Sequence, residues 1–183
     1  MLEMGGSDSR LRANDWPWND LRGAWNNPDN KTMNTLMQDI EPSSLWIASA
    51  LNSSGYVADF TPRSLWEFDR FFDEHSQNGA AKPGSLLAEA QGQRLFAVGC
   101  YMGDVVQRTL GGVWVTDDAD PEGEINIELQ LPDGTRCWPI QRAMKRFKNG
   151  AEDGIAGWGS GLGLVIGPQP ERPRKGLWKR LFG

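Results

Sequence analysis

The chain has 183 residues, 39% of them hydrophobic, and a formal net charge of −5. That fits one ordinary domain with tails, whose core needs no metal or disulfide staple. Two cysteines, Cys100 and Cys137, are too few for a disulfide framework and predict reduced thiols in the cytoplasm. The start M-L-E-M-G-G-S-D lacks the basic and apolar regions of a signal peptide, and no window approaches the roughly 18–20 apolar residues that span a bilayer.

Residues 1–35 are polar and rich in Gly, Asn and Asp, with the cluster D-W-P-W-N-D-L-R-G-A-W inside. Pro17 suits the first position of a short helix, which would place Trp18, Leu21 and Trp25 on one face. From Ser43 the apolar pattern strengthens. Ser43 or Ser44 would cap a helix through about Leu51, with Leu45, Ile47, Ala48 and Leu51 inward. Tyr56 to Phe60 alternates like a short strand. Thr61-Pro62 then signals a helix to about Ser76, with Leu65, Trp66, Phe68, Phe71 and Phe72 on its apolar face and Asn78-Gly79 as its stop. Ser85 would cap a long helix to about Thr109, interrupted near Gly92, with Leu87, Leu95, Val98, Tyr101 and Val105 inward.

Gly111-Gly112 switches the period from helix to strand. Val113–Val115 and Ile125–Leu129 read as strands flanking an acidic loop, and the turn P-D-G leads into a third strand, Arg136–Trp138. Pro139 opens a helix that stops at Asn149-Gly150, and a helical turn fits Glu152–Ala156. The stretch G-W-G-S-G-L-G-L-V-I-G reads as a flexible or edge-strand segment, followed by an extended Pro-rich linker. The expected fold is α+β, with three or four helices packed on a small, mainly antiparallel sheet of three or four strands. The expected division is an N-terminal segment 1–35, one domain over 36–167, and a linker and tail over 168–183.

Catalytic motifs fail on inspection. His75 sits in D-E-H-S-Q at a polar helix end, where a solvated or dipole role suffices, and Cys100 sits in an apolar stretch where a thiol behaves as a small hydrophobe. The loop T-D-D-A-D-P-E-G-E-I-N-I-E-L aligns with a calcium loop from Asp118 through Asp120, Glu122 and Gly123, but its twelfth position is Leu129 and its flanks read as strands. The glycine run at 157–167 lacks phosphate-loop spacing. Carboxylate pairs such as Asp69 with Asp73, or Glu67 with Glu74, read as the wet face of a helix. These observations predict no enzyme, no cofactor and no metal.

The charge is unevenly placed. Between Pro168 and Gly183, Arg172, Arg174, Lys175, Lys179 and Arg180 face one acid, Glu171, a local +4 that leaves −9 on residues 1–167. An acidic body disfavours nonspecific nucleic-acid binding, which depends on phosphate neutralisation. As a helix, the end of the tail puts Leu177, Trp178, Leu181 and Phe182 on one side and Lys179 and Arg180 on the other, the layout of an interfacial anchor or docking peptide.

The block Arg94–Asp153 carries Tyr101, Gly103 and Asp104 in Y-x-G-[ED], then Gly112 and Trp114 in G-G-x-W. Pro139, Lys145, Arg146, Asn149, Gly150 and Asp153 follow in P-x-x-x-[VAM]-x-K-R-x-x-N-G-x-x-D. It resembles a family of uncharacterised small bacterial domains, of the kind found among immunity and interaction proteins. Asp104 would face Lys145 or Arg146 as an ion pair joining two helices.

The expected function is that of a non-catalytic bacterial cytoplasmic binding protein of immunity or adaptor type. Asp117, Asp118, Asp120, Glu122 and Glu124 of the loop, with Glu67, Asp73 and Glu74 of the helix, would mask a basic protein partner. The alternative is an assembly or membrane-targeting protein that docks through Arg174, Lys175, Leu177, Trp178, Lys179, Arg180, Leu181 and Phe182. An unrecognised enzyme is the third reading.

Overall fold

A computed structural model describes residues 35–171. The N-terminal tryptophan cluster and the basic tail lie outside the described residues. The first helix, α1 (Thr35–Ser53), begins eight residues before the expected start at Ser43 and carries Pro42 inside it. A proline there removes one backbone hydrogen bond and costs about 3 kcal/mol. The residues ahead of it offset that cost. Ile40 is buried in a cluster with Phe96, Cys100, Ile127 and Ile140, and Leu36 packs against the same cluster. Each such side chain contributes roughly 1.5–3 kcal/mol when fully buried. The helix buries Ile40, Ser43, Ser44, Ile47, Ala48 and Leu51, whereas Leu45, expected inward, is 49% exposed.

No strand forms over Tyr56–Phe60. The expected alternation is there, with Tyr56 and Ala58 buried and Val57 and Asp59 exposed. Its partner, however, is a side chain. Asn52 donates to the Ala58 carbonyl at 3.0 Å and accepts from the Ala58 N–H at 2.9 Å, which meets the backbone's demand without a neighbouring strand. A 3₁₀ turn at Pro62–Ser64 leads into α2 (Leu65–His75). Leu65, Phe68, Phe71 and Phe72 of α2 are buried, and Phe68 packs on Tyr101 at 4.4 Å between ring centroids. At the Asn78-Gly79 stop, both residues adopt positive φ. This turns the chain into a small ribbon of β1 (Ser76–Gln77) and β2 (Ala80–Ala81).

The long helix starts later than Ser85. Ala90 takes a left-handed conformation, and α3 runs over Gln91–Leu110. Every residue from Leu95 to Val106 is buried, so α3 is the central helix, covered on every side over this stretch. Two glycines let neighbours approach it. A β-carbon on Gly99 would lie 2.5 Å from Ile140 Cα, and one on Gly103 would lie 1.9 Å from the Trp114 ring.

The expected three-stranded meander is present as β3 (Val113–Val115), β4 (Glu128–Gln130) and β5 (Arg136–Cys137), antiparallel in the order β3-β4-β5. Trp114, Leu129 and Cys137 are in register across it. The middle strand is shorter than expected. Gly123–Asn126 forms one helical turn, α4, and pairing begins only at Glu128.

Pro139 opens α5 (Pro139–Asn149), and Gly150 stops it with φ of 79°. A 3₁₀ turn, Gly150–Asp153, then leads to α6 (Ile155–Gly161). The segment expected to be flexible or an edge strand is therefore a helix in its first part. Three glycines in seven residues make it a weak helix former. Its buried Ile155, Ala156 and Gly159 and a carboxylate at its N-terminus hold it. The described residues thus form an α+β fold of six α-helices, one three-stranded sheet and one two-stranded ribbon. Among them no helix is long and apolar enough to cross a membrane.

Candidate functional site

Two places in the fold gather chemistry, and the sequence pointed to only one. The first is the acidic loop between β3 and β4. Its aspartates shape the loop itself. Asp117 accepts the Ala119 N–H at 2.9 Å, and Asp120 accepts the Glu122 N–H at 2.9 Å and the Asn126 amide at 2.7 Å. The Asn126 amide and the Glu122 N–H hold the Asp120 carboxyl below the usual carboxylate range. Asp118 accepts the Leu36 N–H at 3.2 Å, covering a donor that the first turn of α1 leaves open. Glu122 and Glu124 are exposed.

The loop also faces Asp39 of α1. Burial, then Glu124 and Asp118, raise the Asp39 carboxyl above its ordinary value. None of these three acids forms an ion pair with another described residue. The patch is therefore pre-shaped negative charge with no basic ion-pair partner among the described residues. It does not have the architecture of a calcium loop, since Asp117 and Asp120 accept from groups of the loop itself and Asp118 accepts from α1. Among the described residues no group of His, Cys, Asp or Glu is placed to hold a metal ion.

The helix acids expected to join this surface each have a partner within the fold. Glu67 is buried at 9% exposure and pairs with Arg70 at 2.9 Å. Asp73 accepts from Arg146 at 2.6 Å, and Glu74 accepts the Tyr56 hydroxyl at 2.7 Å. Asp69, read from sequence as a wet-face residue, is 8% exposed. Glu67 and Asp69 are therefore buried, whereas Asp73 and Glu74 stay exposed while engaged by Arg146 and Tyr56.

Asp69 anchors the second place. Its Oδ1 accepts from Arg146 Nε at 2.8 Å and from the Ile155 N–H at 2.9 Å, and its Oδ2 accepts the Ala156 N–H at 2.9 Å. One carboxylate thus joins α2, α5 and the N-terminus of α6, where negative charge is favoured. Arg146 is 3% exposed and holds Asp69 and Asp73 together. Arg142 repeats the arrangement one turn away, donating to Asp153 at 2.8 Å and to the Gly154 carbonyl at 3.1 Å. The ion pair expected between Asp104 and Lys145 or Arg146 is absent, because Arg146 is committed to α2. Asp104 lies instead among Ser44, Trp114 and Arg108. Burial raises its carboxyl, and those three groups restrain the rise.

Beside this network lies an open cleft of about 800 Å³. Trp66, Trp158 and Leu162 provide its apolar walls, and Asp73, Arg142 and Glu152 its polar edge. Sequence reasoning missed the cleft. A signal was available: Asp69 and Arg146 each fall inside an apolar stripe, Leu65-Phe68-Asp69-Phe72 and Ile140-Ala143-Arg146-Phe147. A charge inside such a stripe implies a buried partner.

His75 and Cys100 sit in different surroundings. His75 Nδ1 accepts the Leu86 N–H at 3.4 Å, and its Nε2 lies 3.0 Å from the Tyr56 hydroxyl. With Tyr56 donating to Glu74, this pattern suits a neutral ring protonated on Nε2, and burial lowers the His75 pKa accordingly. Cys100 is fully buried against Ile40, Phe96, Ile127 and Ile140, which raises its thiol pKa well above the ordinary value. Such a thiol is a packing group rather than a nucleophile. No family model, characterised protein or solved structure matches this chain.

Proposed function

We propose that this chain is a non-catalytic bacterial protein of immunity or adaptor type, acting in the cytoplasm and binding a protein partner through the acidic loop patch. The single observation that supports this reading most is the grouping of Asp118 and Glu124, both exposed, beside Asp39, with no ion pair to another described residue. Like charges this close repel, and a lysine at the exposed Glu124 would relieve the repulsion without disturbing the core. A fold that keeps them together is prepared for a cation supplied from outside. A basic segment of a partner fits that requirement. Charge at such a patch acts mainly on association rate and choice of partner, and it is screened by salt.

The test uses the full chain as bait in native bacterial lysate at low and high salt, beside a Glu122→Gln/Glu124→Gln variant. Neither side chain forms a hydrogen bond or ion pair with another described residue, so the variant should melt at the wild-type temperature. The reading expects a partner captured at low salt, released at high salt, and captured poorly by the variant. Capture that ignores both salt and the substitutions would overturn it, as would no partner at all.

A further inference from the structure

We propose that the C-terminal segment Leu177–Phe182 of this chain is the occupant of the tryptophan-lined cleft, docked there by the same molecule. This is independent of the acidic loop patch. The cleft has an unpartnered apolar wall, since Trp66, Trp158 and Leu162 are only half-buried. Its volume lies within the range of about 300–1,000 Å³ typical of ligand-holding clefts. The α6 side of it is bare. Gly157 and Gly161 line the cleft one helical turn apart, and a β-carbon at either would meet nothing within 4 Å. Neither packing nor backbone conformation in the described residues demands glycine there, yet each weakens the helix. A chain lying against that face would use the space.

The path of the polypeptide names the occupant. After α6 the chain returns along the cleft. Trp66 Nε1 donates to the Gly167 carbonyl at 3.2 Å, Gln169 lines the cleft itself, and Pro170 and Glu171 lie against Trp66, Glu67 and Arg70. The described chain ends there, at the rim, with 12 residues still to come. Residues 172–176 span at most about 17 Å when extended, enough to turn back and lay residues 177–182 over the groove. Those residues supply Leu177, Trp178, Leu181 and Phe182 for the walls. They also supply Lys179 and Arg180, which Glu152 can meet at the mouth, where it forms no ion pair with another described residue. Tethering makes the encounter intramolecular, so even a weak contact would be populated.

Trypsin reads the proposal directly, because Lys179 and Arg180 are its sites within the segment, with Arg174 and Lys175 just ahead of it. Intact-mass time courses would compare the full chain with a free peptide of residues 172–183. Docking predicts tail cleavage slowed by about tenfold or more relative to the peptide, the rate following the undocked fraction. Two full-length variants should restore the peptide rate without lowering the melting temperature. Trp178→Ala removes the main anchor without changing any residue of the body. Gly157→Arg projects a bulky cation from open space into the cleft, against a basic segment. A wild-type tail cut as fast as the peptide would overturn the proposal, as would protection that survives both variants. Protection lost on dilution would assign the segment to a second copy instead. A tail protected only after anionic vesicles are added would assign it to a membrane. Either result overturns docking within one molecule.

Discussion

Replacing Asp69 by Ala should be among the most damaging single changes to the described fold. The side chain is largely buried, and three hydrogen bonds end on its two oxygens, from Arg146 Nε and from the Ile155 and Ala156 N–H groups. Hydrogen bonds to a charged group each contribute about 1.5–3 kcal/mol, but such values do not add. Removing one partner of a buried ion pair costs about 3–5 kcal/mol, chiefly through the charge left behind. Here Asp73 remains to hold Arg146, which places the loss near the lower end, about 3 kcal/mol. Against a domain stability of roughly 5–15 kcal/mol this is a large share. In urea, with a slope of about 1–3 kcal/mol per molar, the midpoint should fall by on the order of 1–3 M.

Adding Arg146→Met to Asp69→Ala should recover part of the loss, because no unpaired guanidinium then stays buried. The α6 N–H groups would remain uncapped, so the recovery is incomplete. By contrast, Asp73→Ala removes a carboxylate that is 35% exposed and should cost about 1 kcal/mol or less. A loss below about 1.5 kcal/mol for Asp69→Ala, or strictly additive single and double variants, would refute the argument that one buried carboxylate joins three elements.

Gly99→Ala should destabilise by at least about 1–3 kcal/mol through overpacking, since its β-carbon meets the Ile140 backbone rather than a side chain able to swing aside. Gly157→Ala, with open space around it, should stabilise by roughly 0.5–1 kcal/mol, and thermal melts of the pair would check both signs. The lowered pKa of His75 means that the folded state prefers the neutral ring. The stability this contributes is complete above the usual histidine pKa and is lost as pH falls through the lowered one. Urea midpoints between about pH 7 and pH 5 should therefore drop more steeply for wild type than for His75→Gln, and parallel curves would count against it. Asp39 has the opposite sign. Its raised pKa makes the ionised form a cost that disappears as pH falls through that pKa. Glu124→Gln should lower the Asp39 pKa in a carboxyl NMR titration; an unchanged value would leave burial and Asp118 as its causes.

What the sequence determined by itself was local. Pro139 with Asn149-Gly150 bounds a helix because proline suits a first turn and glycine a left-handed exit. Gly111-Gly112, the alternating valines and the P-D-G turn specify the meander for the same kind of local reason. The acidic loop was legible too, as a run of charge with no apolar residue to bury it.

Tertiary structure decided the rest, wherever a distant group changed the local balance. The Leu36 and Ile40 contacts carry α1 back through Pro42. The Asn52 amide stands in for a strand beside Ala58, and Asp69 caps a glycine-rich segment into a helix. Asp69 and Arg146 lie 77 residues apart, so their pairing, and the cleft beside it, had no local cause that periodicity could register. A charge within an apolar stripe announces that it needs a partner, but only the packing of α5 on α2 identifies it.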